Sequence, residues 1–304
     1  GLVGAGVLIL LFAVLLWRAL RDLDPRAAAE VRIGAGDQPG RHRDRVVVGP
    51  QPCTGFSMPD YKKVPQLEVR QALAFAYPYE DAWAAGGEIP GVTLANGIED
   101  PKLGFGILPP GMAGRIAYNP EIDGETIQFD PEHAKKLLAK AGFKPGEFEA
   151  SWVYDASTPE GKAAMEQVKK GYEQSGFKAT PYPYSAGSLY DVWTDPNNAI
   201  HKKINILGTA WCQDWPSGAT FIPPLLETKG AYNTGGFSEK AVDDKISEIK
   251  NMPIEDQAVA WGELDKMIMD DYFPVINSSA PLIRSLISLS RRSRFIPILS
   301  FRRS

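Results

Sequence analysis

The chain has 304 residues, 44% of them hydrophobic and 23% charged, with 33 Lys+Arg against 37 Asp+Glu. This is globular composition, long enough for one large or two modest domains. A net charge of −4 argues against a nucleic-acid binder, while two Cys and three His exclude a disulfide-dense mini-protein and leave little for metal sites.

In chain order, residues 1–17 (GLVGAGVLILLFAVLLW) carry no charge and no proline. At 1.5 Å rise per residue such a helix nearly spans a bilayer core, so a transmembrane helix is expected here. Arg18, Arg21 and Arg26 follow it, which by the positive-inside rule directs residue 18 onward to the cytoplasm. A signal peptide has the opposite order, charge before the apolar core. The string Ala19-Leu20-Arg21-Asp22-Leu23-Asp24-Pro25-Arg26 after an apolar helix resembles the C-terminus of peptide ABC-transporter permeases, so residues 1–26 are expected to be a permease-like helix and tail. Residues 27–52 read as linker. Gly34-Ala35-Gly36 lacks the strand before it and the helix after it that a dinucleotide fingerprint needs.

The body, residues 53–279, alternates helical and strand patterns. Leu67 to Ala76 places Leu67, Val69, Leu73 and Ala76 near one helical face, ended or kinked by Pro78. Gly86 to Gly114 is a long connection with a rigid turn at Leu108-Pro109-Pro110-Gly111. Asp130-Pro131 pairs an N-cap with proline at the first helical position, and Gly142 closes that helix. A strand at Phe148 to Tyr154, a helix at Pro159 to Gln174 and a strand at Phe177 to Tyr182 follow. A short helix at Ser188 to Thr194 leads into the apolar run Ile204 to Trp211. Helices at Ser238 to Lys250 and Ile254 to Asp271 and a strand at Phe273 to Asn277 complete the body. Strands alternating with helices of 10–15 residues imply an α/β sheet lobe. Residues 280–304 form a basic tail: 281–304 contain six Arg and no acid, and read as a disordered or artefactual end or as a basic membrane segment.

No catalytic pattern emerges. Ser57 lacks the second glycine of a nucleophile elbow. His42, His133 and His201 are expected to be solvent-exposed, and no paired His, Cys-x-x-Cys or P-loop is present. Asp243-Asp244 and Asp270-Asp271 read as solvated charge on polar helix faces. One cluster stands apart. In Trp211-Cys212-Gln213-Asp214-Trp215, two Trp bracket an Asp at the end of an apolar strand, the place where α/β folds bind ligands. A carboxylate between aromatic walls suits an ammonium group; two core Trp with Asp214 capping the next turn fits the spacing equally well.

At these residues the chain resembles the family 5 (oligopeptide/dipeptide) solute-binding proteins of ABC importers. Val69-Arg70-Gln71-Ala72-Leu73, Leu108-Pro109-Pro110, the helix Asp130 to Gly142 and Trp211-Cys212-Gln213-Asp214-Trp215 match that family's motifs in order. The resemblance implies one lobe, the C-terminal one, of a two-lobe periplasmic-binding-protein-like (type II) fold. It implies a peptide or other small solute and ABC permease subunits as partners, with no cofactor, no metal and no catalysis. By the same resemblance Asp214 binds a peptide α-amino group and Cys53 pairs with Cys212 on the oxidising side of a membrane; Trp211 and Trp215 are candidate side-chain or core walls beside Asp214.

Two departures shape the expectation. Dipeptide-binding relatives hold the ligand carboxylate with an Arg in the loop after the strand ending near Tyr154; Asp155 to Glu160 (DASTPE) has none, which tilts specificity toward longer peptides. The helix at 1–17 sends the chain inward whereas a disulfide-bonded solute-binding lobe belongs outside. The expectation is therefore a truncated or fused chain, a permease end joined to part of a binding protein. A membrane-anchored interaction protein whose α/β lobe binds no small ligand is the alternative, and a hydrolase relying on the long loop at 86–114 a distant third.

Overall fold

The computed structural model describes residues 29–30, 45–48, 53–87, 105–277 and 287–289. The apolar run 1–17, the residues around His42, the stretch 88–104 and most of the basic tail lie outside them. Among the described residues no helix is long and apolar enough to cross a membrane. The chain divides into two units. In the smaller, β1 (Ala29–Glu30), β2 (Arg45–Val48) and β10 (Ile287–Leu289) form an antiparallel sheet with β2 in the middle.

The larger unit, Pro50–Ile283, is built on a five-stranded mixed sheet. Its strands are β3 (Cys53–Pro59), β6 (Glu149–Asp155), β7 (Lys178–Tyr184), β8 (Ile206–Cys212) and β9 (Ile276–Asn277), in the order β7-β6-β8-β3-β9. β6 runs parallel to β7 and β8, while β3 is antiparallel to β8 and β9. β4 (Glu121–Ile122) and β5 (Glu125–Thr126) make a separate hairpin.

The helices follow the apolar periodicity. α1 (Leu67–Ala76) buries Val69, Leu73 and Ala76 as its pattern predicts. α2 (Tyr79–Ala85) starts directly after Pro78, which is its N-cap and not merely a stop for α1. α3 (Pro131–Lys140) is capped by Asp130, whose carboxylate accepts from the N–H groups of Glu132 and His133 at 3.0 and 2.9 Å. α4 (Pro159–Gln174) is capped by Thr158. α5 (Tyr190–Trp193), α6 (Ile222–Leu226), α7 (Lys240–Lys250) and α8 (Ile254–Asp271) complete the set.

Successive strand residues point to opposite faces, and the sheet feeds two apolar clusters. Ala150, Trp152 and Ile206 join the main core with Phe56, Phe75, Tyr172 and Trp261. Val153 and Leu207 join a smaller cluster with Val192 and Ile204, against which Tyr182 and Trp193 pack. The middle of β6 and the first half of β8 are covered on both faces, so the start of β8 reads as an apolar run rather than as alternation.

Two expectations need correction. His133 is buried, 5% exposed, because the first turn of α3 faces inward and its imidazole lies 4.3 Å from the Phe75 ring. His201 is half-buried, with Nδ1 2.9 Å from the Val192 carbonyl. The last strand is shorter than its sequence pattern: Phe273 has φ 46°, a left-handed conformation that breaks an extended run.

Candidate functional site

The site lies where the strand order turns back on itself. β6 and β8 are neighbours, but their ladder has a single registered pair, Trp152 with Ile206. Asn205 stitches this beginning: its Oδ1 accepts from Ser151 N (2.8 Å) and its Nδ2 donates to the Glu149 carbonyl (2.7 Å). Beyond it the carboxyl ends of the two parallel strands lack ladder bonds to one another, the arrangement that opens a ligand crevice in α/β sheets.

Backbone polarity along β8 follows from its register. Cys53 faces Cys212 with Cα atoms 4.0 Å apart, the close spacing of a non-hydrogen-bonded antiparallel pair. By the two-residue period, Gly208 and Ala210 also turn their N–H and C=O groups away from β3, toward the side of β6. Ile206, of the same parity, meets β6 there. Gly208 is required: a Cβ would stand 2.8 Å from Cζ2 of Trp193, which lies against the strand.

An open hollow of about 360 Å³ forms beside this edge, lined by Tyr190, Thr194, Ala210, Trp211 and Tyr232. Trp211 is half-buried; its Nε1 donates to the Thr220 carbonyl (2.6 Å) and its ring lies 4.6 Å from that of Tyr232. Tyr190 packs edge-on against both Trp193 (5.3 Å) and Tyr232 (6.2 Å). None of these lining side chains is charged. An apolar aromatic wall beside main-chain groups that turn away from the neighbouring strand β3 suits a ligand with flat or aliphatic groups and an amide backbone.

The residues singled out in the sequence divide between this wall and its margin. Trp211 lines the hollow. Asp214 and Trp215 sit in the exposed bend just beyond β8, Trp215 being 56% exposed. Among the described residues Asp214 has no side-chain partner, and the two Trp rings do not meet. The reading in which Asp214 caps the next turn fails, since that turn is capped by Ser217, whose Oγ accepts from Ala219 N. Cys53 and Cys212 are joined by a disulfide, which pins the end of β8 immediately before Gln213 and Asp214. The loop after β6 carries no cation; Asp155 accepts from Ser157 N (2.8 Å) there, and Thr158 caps α4.

Tyr190 and Tyr232 were not singled out by sequence reasoning. Tyr190 belongs to the short helix expected at 188–194, but nothing local marks it as lining a hollow, and Tyr232 sits in an irregular loop. A second arrangement missed in the sequence is Asp265, 1% exposed on α8. Its carboxylate accepts from Ile107 N (2.8 Å) and Leu108 N (3.1 Å). Burial raises its pKa to about 6, against the pull of those two N–H groups and of Arg115. This group holds the Pro-Pro loop and lies away from the hollow's lining. Among the described residues no cluster of His, Cys, Asp and Glu could hold a metal ion.

Comparison with known proteins accords with this architecture. The family model described as bacterial extracellular solute-binding proteins, family 5 Middle, matches residues 46–233. Heme-binding protein A of Haemophilus influenzae is 26% identical over 217 residues, 69% of this chain and 36% of that protein. The murein tripeptide binding protein MppA of Escherichia coli superposes with a TM-score of 0.56 at 18% identity, covering 81% of this chain and 44% of that one. The ABC transporter-associated periplasmic binding protein DppA of Helicobacter pylori, in complex with peptide STSA, gives a TM-score of 0.56 at 18% identity, with 76% and 42% covered. The chain spans less than half the length of these relatives.

Proposed function

The chain belongs to the bacterial extracellular solute-binding proteins, family 5, and we propose that it supplies one lobe of the substrate-binding component of an ABC importer for peptides. It captures ligand outside the cytoplasm, hands it to permease subunits and carries out no catalysis. The observation that carries this reading is the uncharged aromatic hollow beside the outward-facing main-chain groups of β8. An extended peptide can pair its amides with such an edge and place a side chain against Tyr232 and Trp211.

In this reading Asp214 receives the peptide α-ammonium. It follows β8 by two residues, is exposed and has no side-chain partner among the described residues, so its charge is available. Trp211 forms one wall, and Trp215 closes over the ligand from the bend. Peptides longer than two residues are favoured, because the loop Asp155 to Glu160 offers no Arg to fix a ligand carboxylate close by. A single lobe leaves much of its ligand in water, so affinity rises when the opposing lobe is supplied. The Cys53–Cys212 disulfide accords with an oxidising compartment.

Calorimetry with tri- and tetra-alanine tests the reading, comparing the chain with Asp214→Ala and repeating both with N-acetylated peptide. Heat for the free amine that falls about 10-fold or more in affinity with either change is the expected result. Equal affinity for Asp214→Ala removes Asp214 from the site. The likeness to Heme-binding protein A makes haemin the necessary second titrant: binding of haemin with no peptide heat would replace the peptide reading. Heat from neither would favour an interaction protein whose lobe takes no small ligand.

A further inference from the structure

The outward edge of β8 is not bare. The Tyr190 hydroxyl donates to the Ala210 carbonyl and accepts from the Ala210 N–H at 2.9 Å. It also stands 3.0 Å from Thr209 Oγ1. One side-chain oxygen thus occupies both main-chain polar groups of Ala210, one of the two β8 residues that line the hollow, much as a bound water would. Strand neighbours do not share this treatment. The Gly208 carbonyl accepts from a side-chain hydroxyl, Thr234 Oγ1 at 3.2 Å, and Ile206 pairs with Trp152 of β6.

We infer that Tyr190 is a displaceable stopper on the β8 edge, and that what displaces it is a ligand carrying an extended amide backbone. The inference rests on the peptide reading above and deepens it: the residue sets which chemistry gains entry. A backbone N–H and C=O at strand spacing replace both bonds that the hydroxyl makes to Ala210. A planar apolar ligand without amides cannot, and leaves two main-chain groups without partners if it pushes the tyrosine aside. The stopper is built to move. α5 is a four-residue helix, Tyr190 is half-buried, and Asp191 and Thr194 beside it are exposed. Its ring contacts are edge-on, to Trp193 and Tyr232, so rotation of the side chain does not disturb a buried core.

Tyr190→Phe isolates the hydroxyl, because the ring that fills the hollow remains. Two measurements on the 304-residue chain read it. Amide hydrogen exchange without ligand should rise at Ala210, whose proton loses its acceptor, and stay unchanged at Thr209 and Trp211, whose N–H groups face β3. Titration with tri-alanine, read by tryptophan fluorescence, should give about 3- to 10-fold tighter binding for Tyr190→Phe, since one or two modest hydrogen bonds no longer have to be broken. Tyr118→Phe, whose hydroxyl bonds the Lys266 carbonyl and is no part of the hollow's lining, is the control and should alter neither quantity.

Unchanged exchange at Ala210 overturns the inference, and so does unchanged or weaker tri-alanine affinity; weaker affinity would make the hydroxyl a ligand contact. If neither the parent chain nor Tyr190→Phe binds tri-alanine or tetra-alanine, the peptide reading itself fails, and with it the identity of the displacing ligand. Peptide binding that is present but insensitive to the hydroxyl marks failure of the stopper alone.

Discussion

The guanidinium of Arg70 closes on the main-chain oxygen of Tyr272, Nε at 3.0 Å and Nη2 at 2.7 Å, across 202 positions of sequence. Its remaining nitrogen, Nη1, donates to the Val64 and Pro65 carbonyls at 2.9 and 2.8 Å, and its plane lies 4.4 Å from the Tyr61 ring centre. Arg70 is 2% exposed, and burial lowers its pKa, with Tyr61 and Glu239 opposing. The next residue is Phe273, held at φ 46°. The arginine fixes the carbonyl just before this left-handed turn, and so fixes where β9 begins.

Replacing Arg70 by Met keeps much of the apolar stem and takes the donor from three carbonyls, that of Val64 buried and those of Pro65 and Tyr272 partly so. Urea denaturation should report a loss of about 3 kcal/mol or more. Arg70→Lys should recover only part of it, because one ammonium cannot reproduce the planar fork. A loss under about 0.5 kcal/mol for Arg70→Met would mean that water takes over the carbonyls without penalty.

The disulfide joins residues 159 apart in sequence. In the chain-entropy view, opening so long a loop in the unfolded state lowers stability by roughly 4–5 kcal/mol. Cys53→Ala/Cys212→Ala should therefore denature at much lower urea, and alkylation of the unreduced chain should label neither thiol. Because the bond sits at the ends of β3 and β8, the double variant should also lose protection of amides 209–212 before the rest of the sheet.

Asp265 makes stability depend on pH. Burial raises its carboxyl from 3.8 to about 6, so folding favours the neutral acid. Its contribution is complete below about pH 4 and is lost as pH rises through about 6. Measured against Asp265→Asn, which cannot ionise, the parent should lose up to about 3 kcal/mol between pH 4 and pH 7. A difference that stays flat over that range would show that the carboxyl is not shifted.

Gly208→Ala places a methyl group against the indole of Trp193. The ring cannot yield without moving α5, so a loss of about 1–3 kcal/mol is expected. Because α5 carries Tyr190, exchange at Ala210 should rise as well. Unaltered tryptophan fluorescence and exchange would show that the strand shifts instead of the helix.

Much of this fold is legible in sequence where periodicity and caps agree. Helices at 67–76, 159–174 and 254–271 begin and end where their patterns do. β3 escaped because Gly55, Ser57 and Pro59 dilute its strand signal; it extends because β8 and β9 flank it on both sides. α2 was hidden by Pro78, which both ends one helix and starts the next, and α6 by two prolines that sit harmlessly in its first turn. The doubled Trp around Asp214 stands at the end of β8, and its first member, Trp211, lines the hollow. Tyr190 and Tyr232 reach the same hollow from elements separated by a strand and a turn, which local pattern cannot report. His133 misled because a charged helix still has one inward face.

The outermost long strand, β7, carries Pro181 and Pro183, neither with an N–H to offer a newcomer. That seal is written into the covalent chain and never opens. The hydroxyl over Ala210 is a seal of another kind, undone by turning a single side chain. The sheet can therefore deny growth along its rim while admitting a guest strand into its interior, so resistance to edge-to-edge aggregation and readiness for cargo are set by separate residues and can be altered one without the other.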